Sequence, residues 1–265
     1  MPDLLIAALL GLVQGLTEFL PVSSTAHLVI AEKVFRLDPQ RFGLAFDVAV
    51  HLGTALAVVL YFASTWIGLL RDALRGRWRL ALLLLVGTIP GAAAGVVLQS
   101  AVERELRDVR VIAAMLVAFS AVFWLAERYG PQRRGIEGIG WPTALFLGAA
   151  QAVALVPGVS RSGITISAGL LAGLTRSEAT RFSFLLATPI ILGAGAKTLL
   201  DARHASGLLA EPQLAIVGFA VSFLSGLAAV AFLVRFLRTN SLNWFIPYRV
   251  GLALVLAALA AAGVA

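Results

Sequence analysis

Three ionisable side chains, Glu18, His27 and Arg161, lie inside apolar stretches that are each broken by proline. Holding a charge at membrane depth costs about 3 kcal/mol on insertion scales, so each needs a reason to be there. Gln14 and Glu18 are four residues apart and share a helical face, which points an amide and a carboxylate into one cavity. Ser24 and His27 are three apart, and a helix restarting at Ser24 after Pro21 sets them on one face as well. The first turn of such a helix carries free backbone N–H groups and the positive end of its dipole, to which Ser23, Ser24 and Thr25 add hydroxyls. The second stretch repeats the device, with Ser160, Arg161, Ser162 and Thr165 following Pro157-Gly158. Two helix N-termini meeting near the midplane make an anion site, and Arg161 adds a bidentate phosphate fork. A histidine within reach of a helix-start serine is the base and nucleophile pairing of acyl or phosphoryl transfer, with Glu18 available to orient the imidazole or hold a divalent ion. The reaction class expected is hydrolysis of a phosphate ester or anhydride.

Other polar groups read more simply. Asp47 and His51, four apart at the start of an apolar run, are expected to be structural and not a second layer around the site. His204 reads as a solvated loop residue, and Glu103, Glu105 and Asp108 alternate with arginines as a surface lacework.

The elements that must position the site are membrane helices. The 265 residues are 60% hydrophobic and only 13% charged, which excludes a soluble domain, where charge runs near a quarter. Cysteine is absent, so disulfides, thiolate metal sites and cysteine nucleophiles are excluded together. Met1-Pro2-Asp3 lacks the positive start of a signal peptide, so the first apolar segment is expected to stay in the mature protein. Uninterrupted apolar runs at Phe42 to Ile67, Leu80 to Leu98, Val109 to Leu125, Phe182 to Leu200, Gln213 to Leu233 and Phe245 to Ala265 predict six spans. Leu4 to Ile30 and Trp141 to Leu174 are the two broken stretches, read as re-entrant helical hairpins.

Gly-x-x-Gln recurs at an offset of 137 residues (151 minus 14), and proline followed by Val-Ser recurs after it. A hairpin plus three spans crosses the membrane an odd number of times, so the second copy enters from the opposite face. The expected fold is therefore an all-α integral membrane protein, a single domain over 1–265 with inverted-topology repeats at about 1–130 and 138–265. The net charge of +7 reads as an orientation signal and not a nucleic-acid surface. Twelve arginines fall near 66–80, 127–140, 175–181 and 235–249, against eight basic residues on the other side, which predicts an outside N-terminus.

The run Gln14-Gly15-Leu16-Thr17-Glu18-Phe19-Leu20-Pro21-Val22-Ser23-Ser24-Thr25-Ala26-His27-Leu28, with Pro157-Gly158-Val159-Ser160-Arg161-Ser162-Gly163-Ile164-Thr165, resembles the bacterial undecaprenyl-pyrophosphate phosphatase (bacitracin-resistance) family. The order of elements over the whole chain is similar too. The resemblance implies an inner-membrane enzyme, open to the outside, that converts a C55 isoprenyl pyrophosphate to the monophosphate lipid carrier and inorganic phosphate. It implies Ser24 as nucleophile, His27 as base or proton shuttle, Glu18 as essential carboxylate and Arg161 as pyrophosphate clamp. It also implies Gln14, Ser23, Thr25, Ser160, Ser162 and Thr165 around the substrate, and a divalent cation, Mg2+ or Ca2+, on Glu18 with Gln14. An amide at position 14 removes one negative charge, so the substrate phosphates carry more of the work of holding that cation.

The rival reading is a secondary transporter or flippase for a lipid phosphate or other anion, since inverted repeats with broken helices also build transporters. The Ser24 and His27 pair favours hydrolysis, because anion binding alone does not require it. Spacing leaves open whether serine or histidine takes the phosphoryl group. Gly and Ala are too abundant for small-xxx-small patterns to mark a dimer face, so a homodimer stays an open alternative.

Overall fold

The computed structural model describes residues 3–35, 37–38, 41–42, 44–106, 108–202 and 211–262. These fold into eleven α-helices, and no strand forms among them. They are α1 (Asp3–Phe19), α2 (Ser24–Phe35), α3 (Leu44–Tyr61), α4 (Ala63–Leu74), α5 (Arg79–Glu105), α6 (Val109–Tyr129), α7 (Trp141–Val153), α8 (Arg161–Leu171), α9 (Arg176–Ala202), α10 (Pro212–Phe236) and α11 (Ile246–Ala261).

Among the described residues five helices are long and apolar enough to cross a membrane: those within α5, α6, α9 and α10, and the segment Leu242–Ala261. A sixth is made by α3 and α4 if that bent pair counts as one span. Large apolar side chains such as Leu60, Leu85, Val96 and Leu254 are exposed around the bundle, a surface that water would not tolerate and lipid does. The chain is a multi-pass membrane protein.

The run Phe42 to Ile67, expected as one span, bends by 65° where α3 meets α4. Phe62, at the break, is buried against Tyr61 and Phe184, whereas no residue of α4 is fully buried. Arg71 and Asp72 make α4 less apolar than α3, and the chain turns about the anchored Phe62 ring.

Helix α1 packs along α10, and α7 packs along α5. Gly15 makes the first contact possible: a Cβ there would stand 2.0 Å from Ser225 Oγ and 2.6 Å from the Ser222 carbonyl. Helix α8 is the most enclosed element, with Ser162 through Leu170 all buried among α6, α7 and α9. Several buried hydroxyls bond within their own turn, as Ser120 does to Leu116 O at 2.7 Å and Thr188 to Phe184 O at 2.8 Å, whereas the buried Ser167 hydroxyl of α8 has no partner among the described residues.

One end of the bundle is tied by Glu127. Its carboxylate accepts from Arg176 Nε and Nη2, the latter at 2.6 Å, from the Leu242 N–H at 2.7 Å and from Gln132. Another end joins Arg41 to Asp3 and Glu211. Asp108 caps α6 by accepting from Arg110 N, while His204 and the side chains of Glu103 and Glu105 lie outside the described residues.

Candidate functional site

The first break follows Phe19, where α1 ends in Leu20-Pro21-Val22-Ser23 and α2 restarts at Ser24. The second follows Val153, and α8 restarts at Arg161. Both restarts match the sequence expectation. Ser23 and Ser160, which immediately precede the new helices, hold φ of 73° and 72°, a left-handed backbone uncommon for a residue with a Cβ. Gly158 holds φ of 94° in a turn where a Cβ would stand 2.6 Å from the Ile112 carbonyl, so only glycine fits.

The two breaks touch each other. Gly158 N donates to Ser23 Oγ at 3.2 Å, and Arg161 Nη2 donates to Glu18 Oε1 at 2.5 Å. Both charged side chains are enclosed, with 15% of Arg161 and 12% of Glu18 accessible. Glu18 Oε2 accepts from Ser24 Oγ at 2.9 Å and Gln14 Nε2 at 3.2 Å. Gln14, Glu18, Ser24 and Arg161, which are spread over nearly 150 residues of sequence, therefore form one hydrogen-bonded cluster. Two buried polar atoms in it lack a partner among the described residues, Arg161 Nη1 and Gln14 Oε1. A free guanidinium donor and a free amide oxygen on either side of one carboxylate suit an anion and its counterion.

His27 sits differently from expectation. Its Nδ1 lies 2.8 Å from the Ser23 carbonyl and its Nε2 lies 2.6 Å from Tyr248 Oη. A carbonyl can only accept, so Nδ1 carries the proton in the neutral ring and Nε2 accepts from Tyr248. No hydrogen bond joins Ser24 to His27; the serine hydroxyl is turned to Glu18 instead. Helical spacing places Ser24 and His27 near one another, but the ring is drawn to the carbonyl four residues back and to α11.

The hydroxyls around the second break are partly engaged. Ser160 Oγ caps α8 by accepting from Gly163 N and lies 3.3 Å from Ser162 Oγ. Thr165 donates to the Arg161 carbonyl and lies 2.5 Å from Ser183 Oγ, which turns it into the helix packing. Thr25 is half-buried on the first turn of α2. His51 Nδ1 donates to the Asp47 carbonyl at 2.7 Å, a bond within its own helix.

For a hard cation the cluster offers one carboxylate, Glu18, and the unpartnered amide oxygen of Gln14. Among the described residues no group of three or more His, Cys, Asp or Glu side chains is placed to hold a metal ion. A cation fits here only with phosphate oxygens completing its shell, since hard ions take six or more oxygens.

Two residues at the site went unread in the sequence. Tyr248 carries no membrane-depth charge to draw attention. Arg249, expected in a basic loop, is fully buried in α11 instead. It donates to the carbonyls of Pro21, Leu116 and Gly158 and to Ser120 Oγ. The loop arginines on its expected side thus number eleven (12 minus 1). The signal was available, because Arg249 falls inside the apolar run that begins at Phe245, under the same rule that singles out Arg161.

An all-helical membrane bundle with two broken helices apposed at a buried carboxylate, serine and arginine defines a membrane protein built to handle an anionic group. The chain belongs to the BacA family: the family profile described as bacitracin resistance protein BacA matches residues 7–255. It is 46% identical over 270 residues to the undecaprenyl-diphosphatase of Rubrobacter xylanophilus, covering 98% of this chain and 99% of that one. The undecaprenyl-diphosphatase of Trichlorobacter lovleyi is 43% identical over 273 residues, 98% of each chain. That of Mycolicibacterium smegmatis is 42% identical over 266 residues, 96% of each.

Proposed function

We propose that this protein hydrolyses undecaprenyl diphosphate to undecaprenyl phosphate and inorganic phosphate, recycling the cell-wall lipid carrier and conferring bacitracin resistance. The observation that carries the reading is the Glu18, Ser24 and Arg161 cluster, closed between the two helix breaks of a BacA-family chain. Release of phosphate from a polyprenyl diphosphate by the detergent-purified protein tests it. No release by folded protein, with and without Mg2+ or Ca2+, would leave an anion site without hydrolysis and make lipid-phosphate transport the leading account.

In the proposed reaction Arg161 turns from Glu18 to the diphosphate, led by its free Nη1 donor, and Ser24 Oγ attacks the terminal phosphorus. The serine proton passes to Glu18 Oε2, which already accepts from it at 2.9 Å. The bond to the bridging oxygen breaks and polyprenyl phosphate leaves. Water then releases phosphate from Ser24, with Glu18 returning the proton. The first-turn N–H groups of α2 and α8, with Ser23, Thr25, Ser160 and Ser162, bind the phosphate oxygens.

His27 serves as a second proton carrier at the edge of the site, its Nε2 held by Tyr248. Tyr248→Phe keeps the ring and removes one hydrogen bond. Turnover is expected to fall about fivefold, the worth of one neutral bond near 1 kcal/mol, with a melting temperature lowered by no more than a few degrees. An unchanged rate would remove Tyr248 from the mechanism.

A divalent cation, Mg2+ or Ca2+, held by Glu18, Gln14 Oε1 and substrate oxygens would neutralise diphosphate charge. Stripping with EDTA is expected to abolish release and re-addition to restore it; full activity after stripping would refute the requirement.

The finer architecture proposed is six spans and two re-entrant hairpins in inverted repeats, in the bacterial inner membrane with the site open outward. At about 1.5 Å per residue, α2, α7 and α8 extend only about 16–20 Å against a hydrocarbon core near 30 Å, which favours re-entry. Gly11 and Gly148, Gln14 and Gln151, and Ser23 and Ser160 each stand 137 apart, and the packing of α1 on α10 mirrors that of α7 on α5.

A further inference from the structure

We infer that Arg249 is the positioning residue that holds the two helix breaks in register, gripping both from behind through backbone carbonyls. Its guanidinium donates from Nη1 to Pro21 O at 3.2 Å and from Nη2 to Gly158 O at 2.9 Å, one acceptor on each break. The same group reaches Leu116 O at 3.2 Å and Ser120 Oγ at 3.0 Å on α6, and stands 4.6 Å from the centre of the Phe123 ring. It is 0% exposed, and no carboxylate forms an ion pair with it among the described residues. A fully buried cation whose acceptors are all neutral is an expensive arrangement, and its geometry shows where the expense goes.

The carbonyls it takes belong to the interrupted backbone. Around Pro21 and Gly158 the helical ladder is broken, and a carbonyl left unpaired at membrane depth has no water to turn to. A planar, five-donor guanidinium can serve four acceptors on three segments at once; an ammonium point charge cannot. Pro21 lies three residues before Ser24, and Gly158 three residues before Arg161. Whatever fixes those two carbonyls relative to each other fixes the Ser24 and Glu18 pair relative to Arg161. The inference rests on the proposed function only in placing the reaction between the breaks.

The test uses the absence of native cysteine. Val159→Cys puts a reporter in the second break, where the side chain is 0% exposed, and Ala229→Cys puts a control on α10, where it is 2% exposed. Each is made in the wild-type, Arg249→Lys and Arg249→Met backgrounds. N-ethylmaleimide labelling and the kcat and KM of phosphate release are measured in detergent. Both Arg249 variants are expected to lose about 10²-fold in kcat, with a smaller change in KM, as misplacement by about an ångström produces. Labelling of Val159→Cys should quicken about tenfold in both, through local opening, while Ala229→Cys is unchanged.

Wild-type kcat in Arg249→Lys would mean that charge suffices and would overturn the inference. Equal gains at both cysteines would reduce Arg249 to overall stability and overturn it too. So would unaltered labelling at Val159→Cys. If the wild type releases no phosphate, the phosphatase reading fails while the labelling comparison still decides the register role.

Discussion

Arg161→Ala is expected to lower kcat/KM for polyprenyl diphosphate by about 10³-fold or more, on the scale of arginines that meet the transferring phosphoryl charge in nucleotide hydrolases. The same change should destabilise the protein by about 3–5 kcal/mol, because it leaves Glu18 ionised in an enclosed site with its guanidinium gone. These two losses have different causes, and a second substitution separates them. Arg161→Ala combined with Glu18→Gln removes the orphaned charge, so most of the stability should return while activity does not. Phosphate release and thermal unfolding of the wild type, both single variants and the double variant give the full cycle. A double variant as unstable as Arg161→Ala would mean that the arginine's packing, and not its charge partner, carries the stability.

The second large effect is that of Ser24→Ala. The serine hydroxyl is a donor to Glu18 and holds no element in place, so the variant should fold as the wild type does. Turnover should fall about 10²-fold or more, as removal of a nucleophile does. Acid quench of the wild type during turnover, followed by peptide mass spectrometry, should find phosphate on Ser24. Near wild-type turnover in Ser24→Ala would move the attack to water or to His27.

What the sequence made legible was local. Both breaks could be read because proline, glycine and a helix-restarting serine lie within a few residues of one another, and the restarts at Ser24 and Arg161 fall where that chemistry requires. The six apolar runs stand out for the same reason. Pairings across a break were not legible. Glu18 and Ser24 are six apart, a spacing meaningless on one continuous helix, and only the turn through Pro21 brings them together. Ser24 and His27 obey helical spacing, yet the imidazole finds better partners in Ser23 O and Tyr248. The bend at Phe62 has no glycine or proline to announce it. Tyr248 and Arg249 reach the site across 221 and 228 residues of sequence, distances at which periodicity carries no information.

Those separations bear on how the molecule comes into being. Helix α1 lies against α10, with Ser225 Oγ meeting the Gly11 carbonyl across 214 residues, and the brace at Pro21 is supplied by residue 249 of 265. At about 5–20 residues per second, the first break waits roughly 10–45 s on the ribosome's schedule before the residues that complete it leave the tunnel. Through that interval its carboxylate and broken backbone must be sheltered by the insertion machinery or by neighbouring helices. A chain cut short before α11 would carry Gln14, Glu18, Ser24 and Arg161 and yet leave the insertase with two breaks that lack the Arg249 brace, a substrate for membrane quality control.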